Sequence, residues 1–147
     1  MPDYELPPRS PASVPEFVRA LPREGRGALA IFDADGTLWR DDVADDFARW
    51  MMEQGHVPDG GRWAEYVRIY RGDPGAGCDY MLTFYRGMRP DELREHLRGW
   101  WSRARRRWVT EVLESLYLLA ERHYAIWVVT GSPTETMLPL KEFLPVD

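Results

Sequence analysis

The stretch from Ala28 to Trp39, ALAIFDADGTLW, constrains the fold of this chain more than any other part of it. Ala28 to Phe32 is a near-continuous apolar run of strand length, the pattern of a strand covered on both faces. It runs directly into Asp33 and Asp35. Side chains alternate along a strand, so residues two apart share a side and these carboxylates can converge on one point. Gly36 then lets the chain turn sharply. Two converging carboxylates at the C-terminal end of a buried strand point to Mg²⁺-assisted phosphoryl transfer.

Two blander explanations compete. An Asp-Gly pair is a common turn signal, so Asp35-Gly36 alone carries little weight. A calcium-binding EF-hand loop also spaces its aspartates, but it places Gly at its sixth position and Glu at its twelfth. Counting from Asp33, Gly36 stands fourth, and no helix precedes it. The EF-hand reading therefore fails.

A second apolar run, Ile126 to Val129, ends in Thr130-Gly131-Ser132-Pro133. Both strands thus end in small polar residues, where open α/β sheets place their ligands. Between them the apolar spacing is helical. Val43, Phe47, Trp50 and Met51 mark one face, then Trp63, Tyr66, Val67 and Tyr70, then Cys78, Met81, Leu82 and Tyr85. A fourth helix opens at Pro90-Asp91-Glu92 and carries Leu93, Leu97, Trp100, Trp101 and Ala104 on its stripe. A fifth, near Thr110 to Arg122, feeds the second strand. A last helix follows Ser132, with a kink expected at Pro139.

The expected fold class is therefore α/β, with an all-helical insertion after the first strand. The expected divisions are an extended Pro-rich arm over 1–27, an α/β core over 28–44 and 108–147, and the insertion over 45–107. Glu16 to Leu21 reads as a short helical turn at most.

Composition narrows the function. A net charge of −5 argues against a general nucleic-acid binder, and the Arg103 to Arg107 cluster reads as a solvated helix face. No apolar run approaches membrane-spanning length, and the N-terminus lacks the pattern of a signal peptide. Cys78 stands alone, which suits a reducing compartment and a cytoplasmic location. His56, His96 and His123 are too dispersed in sequence to form a local metal-ligand pair.

Phe32-Asp33-Ala34-Asp35-Gly36-Thr37-Leu38 resembles the first motif of the haloacid dehalogenase superfamily of phosphohydrolases. Val128-Val129-Thr130-Gly131-Ser132-Pro133 resembles the second, and the helical block lies where the phosphoserine-phosphatase-like branch carries its cap. The resemblance implies a Rossmann-like core. It implies Asp33 as nucleophile, forming an aspartyl-phosphate, and Asp35 as the acid and then the base. It further implies Mg²⁺ on the Asp33 carboxylate and the Asp35 carbonyl, with phosphate held by Thr130 and Gly131 and approached by Gly36. A carboxylate with an ordinary pKa of about 4 is already ionised at neutral pH, so such a nucleophile needs no base.

Asp42 has two readings. It lies where phosphoserine phosphatases carry an acid that meets the substrate's ammonium, and phosphorylcholine phosphatases carry a similar acidic stretch. Equally, it can be a helix N-terminal acid, as Asp41, Asp45 and Asp46 are expected to be. If an ammonium binds, Trp50, Trp63 or Trp100 could add cation–π contacts, although these rings also fit the helix stripes. The implied partner is a small phosphorylated metabolite bearing an amine, with neither nucleic acid nor membrane involved.

The family's third motif is a lysine after a further strand, and its fourth is an acidic pair. Lys141, the sole lysine, falls inside the expected last helix, and no acidic pair follows it. The expectation is a part of a longer product, a chain completed by self-association or by a second chain, or a remnant. Open apolar strand edges fit the first two. A catalytically silent domain that binds a partner or a phosphorylated ligand is the alternative function.

Overall fold

The computed structural model describes residues 14–104 and 108–146. Residues 1–13 of the expected arm, Arg105 to Arg107 of the arginine cluster, and Asp147 lie outside the described residues.

Strands β1 (Leu29–Asp33) and β2 (Ala125–Val129) pair in parallel, in register from Leu29 opposite Ala125 to Asp33 opposite Val129. Parallel neighbours need a long crossover, and here the helices described between Val43 and Glu121 lie within it. The pairing brings both carboxyl ends together, so the loop after Asp33 adjoins the loop after Val129. This is the α/β arrangement the two apolar runs imply.

The sheet's two faces differ. Ile126 is buried, and Ala30, Phe32 and Val128 pack against the core. On the other face Leu29, Ile31, Trp127 and Val129 are 45–60% exposed. The apolar run predicts cover on both faces, and among the described residues only one face has it. Lacking polar alternation, the sequence marks both faces as apolar but does not say what lies against each.

The first helix of the crossover, α2 (Val43–Glu53), starts where Asp42 accepts a hydrogen bond from the Asp45 amide (2.9 Å). It buries Val43, Phe47 and Met51 of the predicted stripe together with Ala44 and Ala48, while Trp50 is half-buried against the core. Helices α3 (Arg62–Gly72) and α4 (Pro74–Leu82) pack against each other and are joined at Asp73, whose side chain caps α4 while Pro74 occupies its first position. A Cβ on Gly77 would lie 2.7 Å from the Tyr70 Cα, so only glycine permits this approach. A 3-10 turn (Thr83–Tyr85) leads to α5 (Pro90–Ala104).

Phe47 is the hub of the helical block. It stacks on Trp50 and Tyr85, at 6.0 and 5.8 Å between ring centroids, and meets Trp100 edge-on at 5.9 Å. A second aromatic group joins Trp39 to Trp101 (5.3 Å) and Trp108 (5.6 Å).

Helix α6 (Thr110–Glu121) leads back to β2. Against it packs α1 (Val14–Ala20), a helix of seven residues and so longer than the turn expected there. The Arg122 guanidinium explains its persistence, donating to the carbonyls of Val18 (2.7 Å) and Leu21 (3.2 Å) at its open C-terminal end. Helix α7 (Thr134–Met137) gives way to a 3-10 segment (Leu138–Glu142) at Pro139, where a break rather than a bend meets the missing amide donor. Among the described residues no helix is long and apolar enough to cross a membrane.

Candidate active site

Asp33 ends β1 and is exposed, while Ala34 behind it is fully buried and fixes the start of the turn. The Ala34 carbonyl accepts from the amides of Thr37 (3.1 Å) and Leu38 (2.8 Å), winding the chain back on itself. Gly36 sits at φ +73°, a left-handed conformation that glycine adopts without penalty. Thr37 Oγ1 donates to Asp33 Oδ2 (2.7 Å).

Asp35 is held far more firmly. Its Oδ1 accepts from the Trp39 indole Nε1–H (2.8 Å) and the Val43 amide (2.7 Å). Its Oδ2 accepts from the hydroxyls of Thr130 (3.0 Å) and Ser132 (2.8 Å). A carboxylate has about four lone-pair positions, and these bonds use all of them. Val43 is the first residue of α2, so Asp35 also faces the positive end of that helix. Ser132 is further tied by its amide, which donates to Thr130 Oγ1 (3.0 Å).

These groups open onto a cavity of about 240 Å³ between the strand ends and helices α2, α3 and α4. Asp33, Asp35, Asp42, Thr130 and Gly131 all line it, together with Ser132, Tyr66, Tyr70, Cys78 and Met81. Gly36 is not among the lining residues, and its amide donates to the Asp41 carbonyl (3.2 Å).

The cavity is acidic. Burial above all pushes the Asp42 carboxyl above the usual aspartate range, and the charges of Asp35 and Asp45 push it the same way. The Asp45 amide opposes them in part. Tyr66 donates to Asp45 Oδ1 (2.6 Å), and burial together with that bond holds its hydroxyl far above its ordinary pKa. The Cys78 thiol is pushed up by burial and by the Asp42 charge, which favours the unreactive protonated form.

Trp50, Trp63 and Trp100 do not line the cavity. Trp100 is buried beside Phe47, while cations already cover the other two: Arg49 lies 4.4 Å from the Trp63 ring centroid and Arg103 5.8 Å from that of Trp50. The aromatic walls are instead Tyr66 and Tyr70, one turn apart on α3. Their spacing was visible in the sequence, but a ring lining a cavity and a ring in a core share the same helical stripe. His56 and His96, distant in sequence, meet at a 39° tilt with 4.0 Å between ring centroids, and neither lines this cavity.

The haloacid dehalogenase-like hydrolase family model matches residues 30–147. The chain belongs to this family. No curated protein and no solved structure gave a match. In this haloacid dehalogenase-like hydrolase the parallel pairing sets the Asp33 loop beside the Thr130 loop. Each strand end contributes one of the two motifs, and the Asp35 side chain joins them.

Members of this superfamily typically use Mg²⁺. Among the described residues no group of three or more His, Cys, Asp or Glu is arranged to hold a metal. Mg²⁺ needs less, being bound through one or two carboxylates with waters and phosphate oxygens completing its shell. The exposed Asp33 carboxylate is a suitable hard donor, whereas the Asp35 side chain is already saturated by its four partners.

Proposed function

We propose that this haloacid dehalogenase-like hydrolase cleaves a small, amine-bearing phosphate monoester through an aspartyl-phosphate. The carrying observation is one small cavity that has Asp33, Asp35, Thr130 and Gly131 at its strand end and Asp42, Tyr66 and Tyr70 around the rest.

Asp33 is the nucleophile. A carboxylate oxygen forms a bond to phosphorus as the ester P–O bond breaks, and Asp35 gives its proton to the departing alcohol oxygen. Water then attacks the phosphorus, Asp35 takes the water's proton, and the Asp33–phosphate bond breaks to release phosphate. For Asp35 Oδ2 to carry that proton, one hydroxyl of the Thr130–Ser132 pair must turn from donor to acceptor, which a hydroxyl can do by rotation. Thr130 and the Gly131 amide hold the phosphate, while Gly36 serves the turn that places the Asp33 loop beside them. The Asp33 carboxylate and the Asp35 backbone carbonyl would hold Mg²⁺, which when bound offsets repulsion between the nucleophile and the phosphate.

Asp42, Tyr66 and Tyr70 receive the ammonium of the alcohol, the carboxylate by charge and the rings by their π faces. Phosphoserine and phosphorylcholine are the reference esters. The 45–107 insertion, which takes in α2 from its third residue and all of α3 to α5, acts as the cap, and the single cysteine suits a cytoplasmic protein.

Purified chain with Mg²⁺ should release phosphate from phosphorylcholine faster than from 3,3-dimethylbutyl phosphate, its uncharged isostere. Equal release by wild type and Asp33→Asn removes Asp33 from the mechanism. Equal rates for the two esters remove the ammonium site.

The second reading, a ligand-binding domain without turnover, draws on one observation. Three carboxylates line the cavity, and none of the described lining residues is Lys or Arg. Phosphorylcholine bound in calorimetry but never hydrolysed selects this reading.

A further inference from the structure

We propose that Trp39 is a positioning residue for the hydrolytic reaction: its indole N–H anchors Asp35 Oδ1 so that Oδ2 alone faces the leaving group. The proposal rests on the phosphatase reading above, in which Asp35 serves as acid and then base.

The two Asp35 oxygens have donors of different kinds. Those on Oδ1 are rigid, an indole N–H at 2.8 Å and the first amide of α2 at 2.7 Å. Neither can reverse, since both only donate. Those on Oδ2 are the hydroxyls of Thr130 and Ser132, which can donate or accept. A proton can therefore reside on Oδ2 after one hydroxyl rotates, but on Oδ1 only by displacing a fixed donor that cannot reverse. The chain thereby decides which oxygen does the proton transfer.

The indole is itself well fixed. Trp39 is 4% exposed and meets Trp101 and Trp108 edge-on, at interplanar angles of 79° and 81°. Trp101 is fixed in turn by donating its Nε1–H to the Thr136 carbonyl (2.8 Å) in α7, the helix that follows the Thr130 loop. The anchor for Asp35 is thus built into the contact between α5 and α7, and its orientation does not depend on the substrate.

The test exploits leaving-group chemistry. An alkyl ester needs its departing oxygen protonated, whereas p-nitrophenolate leaves without help. Alcohol release is measured in a single turnover, which isolates the first step from hydrolysis of the aspartyl-phosphate. In Trp39→Phe the rate with an alkyl phosphate should fall by about 10-fold, a fraction of the usual contribution of a well-placed acid. With p-nitrophenyl phosphate it should fall by less than about 2-fold, and KM should hold for both. Trp108→Phe, which trims the same aromatic group without touching Asp35, should preserve the ratio of the two rates.

Equal losses with both esters in Trp39→Phe would mean that the ring only packs, and the proposal fails. A second measurement needs neither turnover nor the Trp39 variant. Among the seven tryptophans, the Trp39 indole N–H resonance should move most in Asp35→Asn. An unmoved resonance overturns the anchor even if the enzyme is active. A wild-type chain that turns over neither ester sinks the phosphatase reading and the catalytic role of Trp39 together, while the resonance still decides the contact.

Discussion

Asp33 and Asp35 stand two residues apart and line one cavity, yet removing them should have very unequal consequences for stability. Consider alanine at each. Asp33 is exposed, and its partner Thr37 Oγ1 can turn to water, so Asp33→Ala should stay within about 0.5 kcal/mol of wild type. Asp35→Ala leaves four donors without their acceptor. The Thr130 and Ser132 hydroxyls can rotate toward solvent or each other. The Trp39 Nε1–H and the Val43 amide cannot, and both residues are almost completely buried. Each stranded donor costs about 1–3 kcal/mol, and lost repulsion among the carboxylates returns on the order of 1 kcal/mol. The expected net loss is about 3 kcal/mol. With a urea slope of about 2 kcal/mol per M, the midpoint should drop by about 1.5 M at an unchanged slope. Equilibrium urea unfolding followed by tryptophan fluorescence and by circular dichroism reads both numbers. Coincident midpoints for the two variants, or an Asp35→Ala chain more stable than wild type, would refute the reasoning.

Three further outcomes follow from other parts of the fold. The Tyr85 hydroxyl is buried and has no hydrogen-bond partner among the described residues, so Tyr85→Phe should raise the urea-unfolding free energy by about 1 kcal/mol; a loss instead would reveal a hidden partner. Asp42 has a folded pKa above its ordinary value near 3.9, so over the window above that value the native state binds the extra proton and stability falls as pH rises. Asp42→Asn keeps the helix cap and removes that fall, so its melting temperature should exceed wild type at pH 7 and converge with it toward pH 4, as calorimetric scans across pH would show. Gly77→Ala places a methyl 2.7 Å from the Tyr70 Cα, which is backbone and cannot swing aside, so overpacking of about 1–3 kcal/mol outweighs the helix-propensity gain of about 1 kcal/mol and thermal unfolding should come earlier.

Much of this architecture was legible in the sequence, because it is set by periodicity and end signals. The stripe Val43, Phe47, Met51 specifies the buried face of α2, and Asp42 and Pro90 stand where helices begin. The two motif loops were legible because strand, carboxylates, glycine and hydroxyls each have a stated use. What stayed hidden depends on partners rather than on pattern. Tyr66 and Tyr70 line the cavity while Trp63 is covered by Arg49, and nothing in the α3 stripe distinguishes those rings. Trp39 reads as one more apolar residue after a turn, since only the three-dimensional path of the loop aims its N–H at Asp35. The seven-residue α1 depends on Arg122, more than a hundred positions away, for acceptors at its end to be satisfied.

In the proposed mechanism Asp35 therefore has two duties that a single substitution cannot separate. Its carboxylate is the meeting point of the β1 loop, the first turn of α2 and the loop after β2, so it joins the helical block to the sheet. A chain that places helices between its two strands needs such a joint, because those helices must keep a fixed position over the strand ends. A carboxylate suits both tasks: it gathers donors from several segments, and one of its oxygens can still exchange a proton if the donors there are hydroxyls. Loss of activity in an Asp35 variant is accordingly ambiguous between chemistry and a displaced α2. Asp33 has one local partner and no such structural duty, so it is the residue whose substitution reads the chemistry by itself.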